Sequence, residues 1–138
     1  MAKVFLDTNV ILDLLDAKRK KHKVAKELIS YLTLNGYQIT ISEDMLSTIY
    51  YIDKNREKVL LFFKTILSKW EIVSYGVSLI KEAIDISIIK GIDLEDLMQC
   101  LSAKKSSCDI LITEDRRFYD CGLGIYTIND FLTSREDG

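Results

Sequence analysis

Short apolar runs alternate along this chain with longer segments in which apolar residues recur every three or four positions. The short runs predict buried strands, and the longer segments predict helices with one apolar face. Strands separated by helices pair in parallel, so the pattern predicts an α/β fold, a three-layer α/β/α sandwich with a central parallel sheet. The predicted strands are 3–7, 37–41, 70–74, 109–113 and 125–127, and the predicted helices are 9–16, 23–35, one that starts at 42, 56–68, 78–90, 93–105 and 128–132.

Polar residues at the ends of these segments indicate where some elements begin or stop. Ser42 has the side chain of a helix N-cap, and Glu43 and Asp44 would then lie in the first turn, where the helix dipole favours acids. The final segment, 133–138, is polar and predicts a frayed tail.

The composition is that of a globular protein, with 48% hydrophobic and 29% charged residues. A chain of 138 residues is long enough to bury a core, and no linker or repeat divides it, so we expect a single domain spanning 1–138. No segment has the pattern of a signal peptide or of a membrane span, which predicts a cytoplasmic protein with no membrane partner.

The three cysteines, Cys100, Cys108 and Cys121, are odd in number and lack the CxxC spacing of zinc and redox sites. We therefore expect reduced, partly buried thiols rather than a zinc site.

The net charge of −2 restricts how this chain can contact nucleic acid. Proteins that bind a polynucleotide mainly by neutralising phosphates are usually basic. Contact with a polynucleotide must therefore be local here, as in an acidic metal site with a basic rim.

Asp7 lies where the first predicted strand ends and the first helix begins. In an open α/β sheet, this edge is where ligands bind. Asp7, Thr8 and Asn9 are equally suited to forming a turn that caps the helix, and the local pattern does not decide between the two roles.

Four segments along the chain, in this order, carry further information: FLDTNVILDLL, ISEDMLSTIYYI, DLEDLMQCLSA and CDILITEDRRF. Together they resemble the PIN-domain nucleases, the family that includes the VapC-type toxins of bacteria and archaea. The resemblance extends from Val4 to about Phe131. It implies a PIN-like, Rossmann-like fold and an Mg²⁺- or Mn²⁺-dependent endoribonuclease, the toxin of a toxin–antitoxin system, with RNA as substrate, a homodimeric state and a small antitoxin partner.

The family gathers acids from these segments into one metal site, and the matching positions here are Asp7, Asp96 and Asp115. Carboxylates that approach each other repel, and a divalent cation relieves the repulsion while activating a water for phosphodiester hydrolysis. Each acid also has a structural interpretation: Asp96 could complete a capping arrangement with Asp93, and Asp115 could start a turn.

Three neighbours of these acids are candidates for supporting roles. Asn9 and Thr113 could orient the ligating carboxylates, as metal sites generally require. Glu95 could act on the cation through a water.

The middle segment departs from the family pattern, because Thr48 stands where many members carry Glu. Asp44 lies one turn earlier on the same helix face and could partly replace the missing carboxylate. The departure leaves open an alternative, a catalytically weakened PIN domain that binds RNA or a protein.

Two groups of basic residues are candidates for phosphate binding. Arg116 and Arg117 directly follow Asp115, which places them near the expected metal. The run 18–23 is denser in charge, but a solvated loop explains it equally well.

Overall fold

The computed structural model describes residues 2–136, in which five strands form one sheet. The strands are β1 (Lys3–Leu6), β2 (Gln38–Ser42), β3 (Glu71–Val73), β4 (Ile110–Ile112) and β5 (Gly124–Tyr126). Their order in the sheet is β3-β2-β1-β4-β5, and each neighbouring pair is parallel. The predicted parallel sheet is thereby confirmed.

The helices of the described range cover the sheet in two groups. They are α1 (Thr8–Leu15), α2 (His22–Leu34), α3 (Asp44–Ile52), α4 (Arg56–Ile66), α5 (Val77–Lys90), α6 (Leu94–Lys105) and α7 (Ile128–Glu136). Helix α1 contacts α2 and α3, α2 contacts α7, and α3 contacts α4, whereas α5 packs against α6. Because α2 and α6 both contact β2, the sheet lies between two helical layers, as predicted. None of these helices is both long and apolar enough to cross a membrane.

Strand β1 lies at the centre of the sheet, between β2 and β4. Its side chains Val4, Phe5 and Leu6 are fully buried, because helices cover both faces of a parallel sheet. Each such side chain contributes about 1.5–3 kcal/mol through the apolar area that it removes from water. Leu6 pairs with Ile112, so the chain leaves β1 and β4 at the same edge of the sheet.

The prediction that Ser42 caps a helix is wrong. Ser42 is the last residue of β2, pairs in register with Val73 and is buried, with its Oγ 3.3 Å from the hydroxyl oxygen of Tyr75. Helix α3 begins at Asp44, and Glu43 in the N-cap position makes no side-chain cap hydrogen bond. Pairing with β3 extends the strand by one residue beyond the apolar run, which the local pattern does not show.

The predicted polar tail is also too long, since α7 continues to residue 136. Phe131 is fully buried, the guanidinium of Arg135 lies 4.7 Å from the centre of its ring, and the hydroxyl of Ser134 donates to its carbonyl oxygen at 2.7 Å. Burial of Phe131 anchors α7 on the domain, and the two contacts within the helix stabilise its last turn. Positions 137 and 138 lie outside the described residues.

The prediction of reduced thiols is wrong for two of the three cysteines. Cys100 in α6 and Cys121 before β5 form a disulfide, with their Cα atoms 6.1 Å apart. The fold brings together two residues whose spacing of 21 positions has no diagnostic meaning by itself. Cys108 is a buried free thiol, as expected.

Candidate functional site

A cavity of about 830 Å³ opens at the edge of the sheet where β1 and β4 end. Asp7 enters it directly after β1, and Asp115 enters it after β4. The start of α6 adds Asp93, Glu95 and Asp96. The structure therefore brings the three predicted acids to one cavity, which is further lined by Thr8, Asn9, Leu12, Thr48, Ile52, Gly91, Ile92, Gln99, Arg117 and Tyr119.

Both carboxylate oxygens of Asp7 are held in position. Oδ1 accepts a hydrogen bond of 2.7 Å from the backbone N–H of Thr8, which makes Asp7 the N-cap of α1. Oδ2 accepts a hydrogen bond of 2.7 Å from the hydroxyl of Thr113, whose oxygen in turn accepts the backbone N–H of Asp115 at 3.1 Å. Asp7 thus caps a helix and also lines the cavity.

The carboxyl of Asp96 lies among several other acidic side chains of the cavity, and its pKa reflects their charge. Burial raises the pKa of its carboxyl to about 6, and four neighbouring carboxylates contribute to the rise: Asp93, Asp115, Asp7 and Glu95. Groups that raise one another's pKa in this way favour either a proton or a cation among them.

Asp93 is a residue of this cavity that the sequence analysis identified only as a possible partner in a cap. Its Oδ2 accepts the backbone N–H of Asp96 at 3.1 Å, so Asp93 is the N-cap of α6. The capping arrangement exists, but it uses the backbone of Asp96 and leaves the side chain of Asp96 at the cavity. The D-x-x-D spacing in the sequence predicts the cap. It does not indicate that Asp93 also lines the cavity.

Gln99 was missed entirely. Its side chain is 1% exposed and lines the cavity one turn beyond Glu95, to whose Oε1 its amide nitrogen donates at 3.4 Å. Its Oε1 is buried and, within the described residues, has no hydrogen-bond partner. The available signal was its position four residues after Glu95, on the same helix face.

The donors of this cavity fit a hydrated divalent cation. Carboxylates and an unpartnered amide oxygen are the hard ligands that Mg²⁺ prefers. Within residues 2–136, no three or more His, Cys, Asp or Glu side chains converge as a ready-made metal site. Because Mg²⁺ keeps several of its waters and takes only one or two carboxylates directly, an open set of this kind suits it.

Thr48 and Asp44 occupy different places. Thr48 lines the acidic cavity, and its hydroxyl donates to the carbonyl oxygen of Asp44 at 3.3 Å. Asp44 lines an adjacent cavity with Tyr75. It nevertheless affects the acidic cavity, since the pKa of Glu95 is raised by burial and then by the charges of Asp7 and Asp44.

The two arginines point to different cavities. Arg117 lines the acidic cavity, and its backbone N–H donates to Oδ1 of Asp115 at 2.9 Å. Arg116 lines a separate cavity with Thr127 and Asp130. Asp115 lines both cavities, but only Arg117 shares a cavity with Asp7 and Asp96 as well.

Comparison with known proteins agrees with this geometry. The model of the PIN domain family matches residues 4–122. Ribonuclease VapC1 of Aquifex aeolicus (strain VF5) is 32% identical over 135 residues, which cover 94% of this chain and 92% of that protein.

Two solved structures share the fold. Mycobacterium tuberculosis VapC20, a toxin that cleaves the sarcin–ricin loop, has a TM-score of 0.71 at 15% identity and covers 87% of this chain and 95% of its own. DNA-bound VapBC from Salmonella typhimurium has a TM-score of 0.68 at 20% identity and covers 93% of this chain and 99% of its own. Because the family model spans most of the chain and a curated relative matches nearly all of it, this protein belongs to the PIN-domain family and is a VapC-like member of it.

Proposed function

We propose that this protein is a metal-dependent endoribonuclease that hydrolyses RNA phosphodiester bonds as the toxin of a toxin–antitoxin pair. The observation that carries the proposal is the cavity where β1 and β4 end, lined by Asp7, Asp96 and Asp115. The 32% identical relative is a ribonuclease, which supports RNA as the substrate.

The side chains of the cavity have distinct roles in this proposal. Asp7, Asp96 and Asp115 would hold Mg²⁺ or Mn²⁺ among them, directly or through its bound waters, with Glu95 acting through a water. When bound, the divalent cation supplies a water of lowered pKa and stabilises negative charge on the phosphate. The hydrogen bond from the Thr113 hydroxyl to Oδ2 fixes the orientation of the Asp7 carboxylate.

Two further residues act on the substrate side. Arg117, which lies in the same cavity, donates to the scissile phosphate. Asn9 is exposed at the cavity wall and helps to orient the groups around the cation. Arg116 contacts the RNA further from the cation.

We also propose a homodimer that binds a small antitoxin. The VapBC structure described above supports a toxin–antitoxin assembly for a chain with this fold. On the surface of α5, Val77, Ile88 and Ile89 are 84%, 76% and 80% exposed. Exposed apolar side chains grouped on one helix support a protein interface.

Thr48 favours a second function, a PIN domain that binds RNA or a protein without cutting. A hydroxyl at this position of the cavity leaves it with one carboxylate fewer than many family members have. The retained acids Asp7, Asp96 and Asp115 favour cleavage instead.

The experiment that separates these functions is an RNA cleavage assay with Mg²⁺, Mn²⁺ or EDTA, on single-stranded and structured RNA. We expect cleavage with the metals, and its loss in Asp7→Asn and Asp96→Asn. Both variants should also lose thermal stabilisation by Mn²⁺ while keeping the wild-type circular dichroism spectrum. Asp85→Asn, an exposed position on α5, is the matched control.

Full EDTA-sensitive activity in Asp7→Asn would contradict the assignment of the ligands. A wild-type protein that binds RNA and cuts none with either metal would establish the binding module instead.

A further inference from the structure

Another cavity, of about 480 Å³, lies beside the acidic cavity and shares two of its wall residues, Leu12 and Ile52. We call it the basic groove, after the four cationic side chains that line it: Lys18, Arg19, Lys54 and Lys58. The groove therefore begins where the acidic cavity ends.

The basic groove has two walls that are joined to each other. Lys18 and Arg19 come from the turn between α1 and α2, whereas Lys54 and Lys58 come from the turn after α3 and the start of α4. The Lys58 ammonium donates to the carbonyl oxygen of Leu15 at the end of α1, which connects the walls.

Arg19 is held in place on its wall. Its Nε donates to Oδ1 of Asp13 at 2.7 Å, and the carboxylate of Asp13 is buried. A guanidinium anchored through Nε keeps its direction, so less conformational entropy is lost when it binds an anion.

The groove also contains two carboxylates, both of which stabilise turns. Oδ1 of Asp16 accepts the backbone N–H of Lys18, and Oδ1 of Asp53 accepts the backbone N–H of Asn55, each at 2.9 Å. Four cations leave the groove positive even when the buried carboxylate of Asp13, which pairs with Arg19, is counted together with these two. The acidic cavity next to it has five carboxylates and one arginine.

We propose that the basic groove binds the sugar–phosphate backbone of the RNA strand on one side of the scissile bond. This inference rests on the proposed function, which puts the scissile phosphate in the acidic cavity. An RNA strand carries a negative charge at every nucleotide, so the strand must leave that cavity along a path that neutralises its phosphates.

The wall shared by the two cavities suits the nucleotide between them. Ile52 is 50% exposed and gives the boundary an apolar surface for a ribose or base, whereas Leu12 in the same wall is buried. The groove also explains how a protein with a net charge of −2 can bind a polyanion, because its cations are concentrated along the path.

The test uses the double variant Lys18→Ala/Lys54→Ala. Its matched control is Lys64→Ala/Lys81→Ala, which removes the same charge at exposed positions of α4 and α5. A fluorescently labelled single-stranded RNA of twelve uridines is titrated with each protein in Ca²⁺ over a series of salt concentrations, and binding is followed by anisotropy.

For a single strand, the slope of log Kd against log salt falls by about 0.7 for each phosphate that the protein no longer neutralises. We expect the slope of the groove variant to be about 1.4 lower than that of the wild type, with weaker binding at low salt, and the control to keep the wild-type slope. In cleavage assays with Mn²⁺, the defect of the groove variant should lie in KM rather than in kcat.

If the groove variant keeps the wild-type salt slope and KM, the proposed role of the groove in RNA binding is wrong. Cleavage of RNA by the wild type would still support the nuclease proposal in that case. Equal defects in the groove and control variants would also overturn the proposed role of the groove, because total charge would then explain the effect. A wild type that binds RNA through the groove and cleaves none would support the groove and contradict the nuclease.

Discussion

The hydroxyl of Thr113 donates a hydrogen bond of 2.7 Å to Oδ2 of Asp7, across 106 positions of sequence. Thr113 is 1% exposed, so water does not compete for this contact. Residues that orient a ligating group in this way change metal affinity or activity by about 10- to 100-fold when they are removed.

We therefore expect Thr113→Val to weaken Mn²⁺ binding by about 10- to 100-fold in titration calorimetry. The unpaired Oδ2 of Asp7 should also lower the free energy of unfolding by about 1–3 kcal/mol. Thr113→Ser keeps the hydroxyl and is the control, with Mn²⁺ affinity near that of the wild type. Equal affinity in the valine variant would show that the hydrogen bond does not position the carboxylate.

The raised pKa of Asp96 predicts how the stability of the metal-free protein depends on pH. Asp in an unfolded chain has a pKa of about 3.9, whereas Asp96 in the folded protein has one of about 6. Between these values the folded protein keeps a proton that the unfolded chain has released, so this group's contribution to stability falls as pH rises from about 4 to about 6.

Urea denaturation in EDTA at several pH values tests this sign. We expect Asp96→Asn to become more stable relative to the wild type as pH rises from about 4 to about 6. Above about pH 6, the difference in unfolding free energy should stay constant. A difference that shrinks with pH would mean that the carboxylate is stabilised in its charged form.

Thr48→Glu would add a carboxylate to an already crowded cavity. Without metal, repulsion should lower the melting temperature slightly. With Mg²⁺ or Mn²⁺, the variant should regain stability by linkage and bind the ion more tightly than the wild type does. Calorimetric titration and thermal melts with and without metal measure both effects.

Asp44→Asn is the companion variant, and it should reduce metal affinity only modestly, because Asp44 lines an adjacent cavity. If it abolishes metal binding while Thr48→Glu changes nothing, then Asp44 already fills the role of the missing acid.

Replacing Arg117 should impair cleavage more than replacing Arg116 does. The reason is location, since Arg117 lines the cavity that holds Asp7, Asp96 and Asp115, whereas Arg116 lines one that holds only Asp115 of these three. Measurement of kcat and KM for Arg117→Ala and Arg116→Ala on the same RNA compares two adjacent residues of equal charge. Equal losses of activity, or a larger loss at Arg116, would place the phosphate elsewhere.

The parts of the site that follow strands were predictable from the sequence. Asp7 and Thr113 each come directly after an apolar run, and parallel strands end at the same edge of their sheet. The proximity of Asp7 and Thr113 follows from the parallel sheet and from the positions of the strand ends. No knowledge of side-chain positions is needed for it.

Other parts depend on contacts that no local pattern encodes. The unpartnered oxygen of Gln99 can be recognised as a possible cation ligand only when the position of α6 beside the cavity is known. The contact between Cys100 and Cys121 depends on how the segment before β5 returns to α6. Ser42 has a side chain that suits a cap and a strand end equally well, and pairing with Val73 decided between them.

The central position of β1 has a consequence for the timing of synthesis. Strand β1 precedes the other described strands in the chain, and it needs Ile110–Ile112 at its side before its place in the sheet is complete. Chains emerge from their amino end, and a domain folds once its contacting segments are available. Under the proposed function, a nascent chain therefore cannot assemble the acidic cavity until the segment from β4 to Asp115 has left the ribosome, and it cannot cleave RNA before that point.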